Sequence, residues 1–206
     1  MTHETVGVGP WDGPWTAEPH YDPDLLAHGD RRNVVDRYRY WRVEAIVADL
    51  DGRRHPFHVA VENWRHDLNI GTVVRTANAF LAREVVIVGR RRWNRRGAMV
   101  TDRYQHIRHV ATVAELVETS PDYAIVAIDN LPGARPLESA PLPVNALLLF
   151  GQEGSGLTDE ARAAATAVYS IAQYGSTRSI NAGVAAGIAM HAWIRQHAEP
   201  PSERSG

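Results

Sequence analysis

Four short apolar runs, EVVIVG (84–89), YAIVAID (123–129), ALLLFG (146–151) and AVYSIA (167–172), take turns with segments of helical character at 69–81, 113–118 and 159–165. Runs of this kind suit strands buried on both faces, and the segments between them suit crossover helices joining parallel strands. The expected fold class is α/β, a parallel sheet with helices on both faces. In such sheets ligands gather beyond the carboxyl ends of the strands. Two of those ends carry distinctive text, FGQEGSGL after the third run and QYGSTRSIN after the fourth.

Upstream, RVEAIVADLDGRRHPFHVAVEN alternates apolar and polar residues on either side of Asp51-Gly52, which predicts a hairpin. Residues 23–40 read as a helix with Leu25, Leu26, Val34, Val35 and Tyr38 on its apolar side. Its other side carries Arg31, Arg32, Arg37 and Arg39, either a solvated face or an RNA contact. Residues 1–21 are rich in Gly and Pro without period, as in a poorly ordered tail, although Trp11 and Trp15 are residues that often dock. The last helix, expected over 180–197, contains Ala182, Gly183, Ala185, Ala186, Gly187 and Ala189. Its glycines lower helix propensity and are tolerated where another backbone approaches closely.

The absence of cysteine excludes disulfides, thiolate metal sites and cysteine nucleophiles. His106 and His109 form an H-x-x-H pair with no third ligand beside it, so no metal is expected. The opening MTHETVGVGPWDGPW lacks the basic and apolar regions of a signal peptide, and no apolar span reaches membrane length. A soluble cytoplasmic protein is the expectation. The formal net charge of -2 conceals a cluster, RRRWNRRG, in which Arg90, Arg91, Arg92, Arg95 and Arg96 surround Trp93. Such a cluster can grip RNA phosphates while the indole stacks on a base, or it can be a solvated loop.

The stretch LLLFGQEGSGLTDE comes within one residue of a phosphate-cradling loop. Gly151, Gly156 and Thr158 fit the frame G-x-x-x-x-G-K-[ST], but Leu157 stands at the lysine position. No other lysine can substitute, because all 22 residues counted as Lys+Arg are arginines. Glu153 inside the turn would repel a phosphate. A nucleotide hydrolase is disfavoured, and the turn suits a neutral or cationic ligand, such as a sulfonium bearing an amino acid end.

Three segments, NIGTVVRTANAF (69–80), LLLFGQEGSGL (147–157) and IAQYGSTRSINAGVAAGI (171–188), together resemble the motifs of the SpoU, or TrmH-like, branch of the SPOUT RNA methyltransferases. The first follows N-x-G-x-x-x-R-x-x-x-x-F, with Asn69, Gly71, Arg75 and Phe80 in register. The second follows F-G-x-E-x-x-G-L, and the third I-P-x-x-G-x-x-x-S-L-N-x-S-V-A-A-G. The resemblance implies a methyltransferase domain over 56–198 with a C-terminal deep trefoil knot. An extension at 22–55 would precede it, with tails at 1–21 and 199–206. It further implies transfer of a methyl group from S-adenosylmethionine to a ribose 2'-OH in a structured RNA, tRNA or rRNA, by a homodimer whose partner subunit adds to the site.

By the same resemblance Asp129, Gly151, Gln152, Gly156, Ile171 and Ile180 hold the cofactor, and Arg75, Asn69, Glu153, Ser179 and Asn181 form the catalytic set. The matching arginine is associated with removal of the hydroxyl proton. An ordinary guanidinium is neutral in only about one molecule in 10⁵ or fewer near pH 7, so electrostatic stabilisation of the developing alkoxide suits Arg75 better. Glu153 either braces the turn and Asn69 or takes part in catalysis. Ser179 and Asn181 would bond the target nucleotide and steady Asn69 and Arg75, unless Ser179 only caps the last helix. The chain departs from the third motif at Ala172 in place of proline, at its neighbour Gln173, at Arg178 and at Gly183. These departures leave a non-catalytic RNA-binding relative as the alternative.

Overall fold

The computed structural model describes residues 7–63, 69–152 and 154–200. They form two compact units, residues 7–52 and residues 53–199.

The first unit contains α1 (Pro23–His28) and α2 (Val43–Asp51). The helix expected over 23–40 is only six residues long. Asp22 caps it by accepting the Asp24 N–H, Pro23 begins it, and Gly29 ends it with φ 91. Beyond Gly29 the Asp30 carboxylate organises the chain, accepting from the Arg32 N–H, the Arg32 guanidinium and the Tyr40 N–H. The expected basic face is largely an internal ion-pair set: Arg32 with Asp30, Arg37 with Asp49, and Arg39 with Asp36. Residues of the 7–21 stretch take part in this unit, since Val8 and Asp30 exchange backbone hydrogen bonds and Trp11 N–H donates to Leu26 C=O.

The expected hairpin around Asp51-Gly52 is not formed. Its first half is α2, because Val43, Ile46, Val47 and Leu50 recur at i, i+3, i+4 and i+7 and present a helical stripe, with Ile46 buried. The local alternation that suggested two strands is shorter than that period.

Asp30 gives this unit a pH dependence. Burial acts to raise the pKa of its carboxyl, but the hydrogen bonds from Arg32 and Tyr40 and the Arg32 charge outweigh it and bring the value from 3.8 to about 2. A folded-state pKa below the unfolded one contributes stability that is fully present above the unfolded value and lost as pH falls through the folded one. The contribution is about 2 kcal/mol. Asp30→Asn is therefore expected to lower the melting temperature at pH 7, with a smaller additional loss than wild type on acidification from about pH 4 to about pH 2. Circular dichroism melts across that range measure it, and parallel pH profiles for the two proteins would refute it.

The second unit holds β1 (His58–Asn63), α3 (Ile70–Ala79), β2 (Val85–Gly89), β3 (Ile107–Val110), α4 (Val113–Glu118), β4 (Ala124–Ile128), β5 (Arg135–Pro136), β6 (Ala146–Phe150), α5 (Asp159–Ala164), β7 (Ala167–Ser170) and α6 (Ala182–His197). The sheet runs β3-β2-β1-β6-β4-β7-β5, and every pairing is parallel. Alternate residues of each strand feed opposite faces, as the pleat requires. Val59, Val61, Val85, Ile87, Val126, Leu148 and Phe150 join Val73, Val74, Ala77, Met190 and Trp193 of α3 and α6. Ala60, Val86, Val88, Ile125, Ala127, Leu147 and Leu149 join Val113, Leu116 and Ala161 of α4 and α5. The parallel sheet covered on both faces is thus as expected. The half-buried β3 and the two-residue β5 sit at the edges, where little apolar text marks a strand.

Candidate functional site

A cavity of about 410 Å³ opens beyond the carboxyl ends of β4, β6 and β7. Ile128 and Asp129 reach it from β4, Phe150 and Gly151 from β6, and Ile171 from β7. Ser179, Ile180 and Asn181, just before α6, close another side.

The glycine turn after β6 folds back on itself. Gln152 N–H donates to Gly156 C=O at 3.2 Å, and Gly156 N–H donates to Gln152 C=O at 3.0 Å. A Cβ on Gly151 would lie 2.2 Å from the Gly156 carbonyl carbon, and one on Gly156, whose φ is +67, would lie 2.8 Å from Asp129 Oδ2. Two carboxylates then take the amides that leave the turn. Leu157 N–H donates to Asp129 Oδ2 at 3.1 Å. Thr158 N–H and Oγ1–H donate to Glu62 Oε2 and Oε1 at 2.9 and 2.7 Å. In a phosphate loop such amides face the ligand. Here Leu157 is buried, its N–H is occupied, and the carboxylates add negative charge, so the turn is no phosphate cradle.

Glu62 braces the exit of the turn without lining the cavity, and it lies outside the three motif segments. Its signal is a carboxylate placed fifth in an otherwise largely apolar strand, where it is fully buried. Thr158, the last remnant of the phosphate-loop frame, instead caps α5 by accepting the Ala161 N–H.

The first and third motif segments meet at Asn69 and Asn181. Asn181 Nδ2 donates to Asn69 Oδ1 at 2.9 Å, while Asn181 Oδ1 accepts from the Gly183 and Val184 N–H groups. Asn181, not Ser179, is therefore the cap of α6, and Ser179 stands exposed on the cavity lining. The two helices approach closely because residue 183 is glycine: a Cβ there would be 3.1 Å from Thr72 Cγ2. Arg75 is exposed on α3 and is not among the residues lining the cavity. Glu153 lies outside the described residues. Asp129, Gly151, Gln152, Gly156, Ile171 and Ile180 all line the one cavity.

The arginine loop follows β2. Asn63 Nδ2 donates to the Arg90 and Arg92 carbonyls at 2.6 and 2.9 Å, which fixes its path. Gly71 lets α3 rest on it, since a Cβ there would be 2.7 Å from Ala98 N. Arg90, Arg91, Arg92, Arg95 and Arg96 are exposed. Trp93 is half-buried against the core, with the Arg95 guanidinium 5.6 Å from its ring centroid. The indole anchors the loop and does not stand free. Among the described residues no group of three or more His, Asp or Glu is placed to hold a metal ion, and no helix is long and apolar enough to cross a membrane.

A fully parallel sheet, a cavity beyond its carboxyl ends and a glycine turn held by carboxylates define an α/β domain. The chain belongs to the SpoU rRNA Methylase family, whose model matches residues 56–191. It is 32% identical over 195 residues to an uncharacterized tRNA/rRNA methyltransferase of Mycolicibacterium smegmatis, across 86% of this chain and 60% of that protein. The chain thus spans about 60% of the length of the curated relatives it matches. The A. aeolicus TrmH/SpoU tRNA modifying enzyme shares the fold with a TM-score of 0.66 and 23% identity, over 75% of this chain and 82% of that one. So does the SpoU methyltransferase AviRb from Streptomyces viridochromogenes in complex with AdoMet, with a TM-score of 0.62 and 22% identity, over 72% of this chain and 60% of that one.

Proposed function

We propose that this protein is an S-adenosylmethionine-dependent methyltransferase acting on a ribose 2'-OH of a structured RNA, tRNA or rRNA, and that it works as a homodimer. The observation that carries the reading is the occupied turn: Asp129 and Glu62 hold the Leu157 and Thr158 amides beside a cavity lined by Ile128, Phe150, Ile171 and Ile180. Apolar walls suit a flat base, and a negative rim suits a cation better than a phosphate. S-adenosylmethionine bound there supplies a methyl group on a positively charged sulfonium.

The chain's own residues would do the rest. The Asn69–Asn181 contact fixes the start of α3 against the start of α6, and so orients the face of α3 that carries Arg75. From that face the Arg75 guanidinium would stabilise the negative charge developing on the ribose oxygen. Exposed Val184 and Ile188 on α6 support a subunit contact on that helix. The close approach of Gly183 to Thr72, together with the Asn130 Nδ2 bond to the Arg178 carbonyl at 2.9 Å, supports a knotted path for the segment after β7.

Calorimetry with S-adenosylmethionine, and ATP as control, tests the cofactor. Binding of the first alone is expected, and binding of ATP alone would overturn the reading. Mapping of 2'-O-methyl marks lost on deletion then identifies the RNA. Cofactor binding with no lost mark would favour a non-catalytic RNA-binding relative.

The arginine loop supplies a separate prediction. Replacing Arg90, Arg91, Arg92, Arg95 and Arg96 together by serine is expected to weaken RNA binding and flatten its salt dependence. Each lost phosphate contact removes about 0.7 to 0.9 from the slope of log K against log salt, so a change of about 3.5 to 4.5 is anticipated if all five arginines touch phosphates. An unchanged slope would place the RNA elsewhere.

A further inference from the structure

The third motif departs from its pattern at Ala172, where the pattern has proline, and the structure gives Ala172 and its neighbour Gln173 distinct environments. A proline at 172 would have no N–H to donate. Ala172 has one, and it donates to Glu138 Oε1 at 2.9 Å. That bond ties the segment leaving β7 to the short helical turn Leu137–Ser139. The next residue, Gln173, lines the cavity. Its Oε1 is buried and has no hydrogen-bond partner among the described residues. Buried carboxamide oxygens are normally paired, because leaving one without a donor is unfavourable. The other such side-chain atoms, on His58 and Asn78, belong to residues outside the cavity lining.

We infer that Gln173 is a ligand-reading residue of this cavity, its carboxamide oxygen accepting a hydrogen bond from an N–H or O–H donor of the bound ligand. The inference rests on the reading of the cavity as the S-adenosylmethionine site. That molecule offers three kinds of donor: the 6-amino group of the base, the ribose hydroxyls and the ammonium of the amino acid end. The Ala172–Glu138 bond acts through Gln173 by holding the backbone from which the carboxamide projects, which makes Glu138 a positioning residue. Ala172 and Gln173 thus work as a pair, the first freeing an amide that aims the second.

Calorimetry on the full chain tests this with three probes: S-adenosylhomocysteine, S-inosylhomocysteine, which lacks the 6-amino group, and 5'-deoxy-5'-methylthioadenosine, which lacks the amino acid end. Gln173→Leu is expected to weaken S-adenosylhomocysteine about tenfold. Without ligand its melting temperature is expected to match or exceed that of wild type, since an unsatisfied buried acceptor is gone. The analogue missing the contacted donor should bind wild type and variant alike. If both analogues still show the tenfold difference, a ribose hydroxyl is the donor. Gln173→Glu, which keeps the acceptor, should retain more affinity than Gln173→Leu. Glu138→Ala should weaken binding in wild type and not in the Gln173→Leu background. A folded Gln173→Leu that binds S-adenosylhomocysteine as tightly as wild type would overturn the inference and leave the cofactor reading standing. A folded wild type that binds none of the probes would remove both.

Discussion

Arg75→Ala is expected to lower the rate of methyl transfer to RNA by about 10² to 10³-fold, the range for deleting one preorganised electrostatic donor, while cofactor affinity stays within about twofold of wild type. The separation follows from where the residue stands. Arg75 is exposed on α3 and outside the lining of the cavity, so its removal touches no wall against which the cofactor would rest. The helix itself is held by Ile70, Val73, Val74 and Ala77 on its buried face, and alanine is the better helix former at an exposed position. Single-turnover kinetics with RNA, beside calorimetry with S-adenosylmethionine, read the two quantities separately. Equal loss of both would mean that Arg75 supports the cofactor site, and the assigned role would fall. Arg75→Lys divides the remaining possibilities, because a lysine keeps the charge but not the planar fork of donors. Partial rescue would mark a charge effect, and no rescue would mark directed hydrogen bonding.

The sheet was legible because strands buried on both faces write an unbroken apolar run, and four such runs fell where β2, β4, β6 and β7 lie. What misled was local. HVAVEN reads as one arm of a hairpin because Asp51-Gly52 precedes it, although a six-residue strand buried throughout belongs inside a sheet, paired on both sides. The helix expected over 23–40 failed at Gly29, where positive φ and the Asp30 carboxylate redirect the chain, an effect of one buried ion pair that no apolar period reports. Around the cavity, the glycine turn and the Asn69–Asn181 meeting of two motif segments were legible as spacing, while Arg75 stands outside the lining. The carboxylate pairing of Glu62 with Thr158 joins residues 96 positions apart, and only the parallel register of β1 beside β6 brings them together. Trp93 shows the converse: its arginine-rich neighbourhood suggested a stacking ring, yet the nearby core claims much of the indole.

Gly151→Ala is expected to raise the dissociation constant of S-adenosylmethionine by about a hundredfold, about 2.7 kcal/mol, the scale of two hydrogen bonds to carboxylates given up as the turn distorts. The added Cβ would lie 2.2 Å from the Gly156 carbonyl carbon, 2.3 Å from Leu157 N and 2.4 Å from the Gly156 carbonyl oxygen, and all three are backbone atoms that no side-chain rotation can move aside. The turn must open. Opening strains the Gln152–Gly156 pair and draws the Leu157 and Thr158 amides away from Asp129 and Glu62. The sheet is less exposed to the change, because β6 ends at Phe150 and its pairing with β1 and β4 lies wholly before the turn. Gly154→Ala is the control within the same turn: its φ of +91 makes a side chain strained, but among the described residues, chain neighbours aside, no atom stands within 4 Å of the new Cβ. The control therefore carries the conformational cost, about 1 kcal/mol or somewhat more, without the clash. A large loss of affinity in Gly151→Ala with a small one in Gly154→Ala, both still unfolding cooperatively, would show that closure of the turn upon itself builds the cofactor site. Equal losses would mean that turn flexibility governs binding and that the carboxylate-held geometry does not.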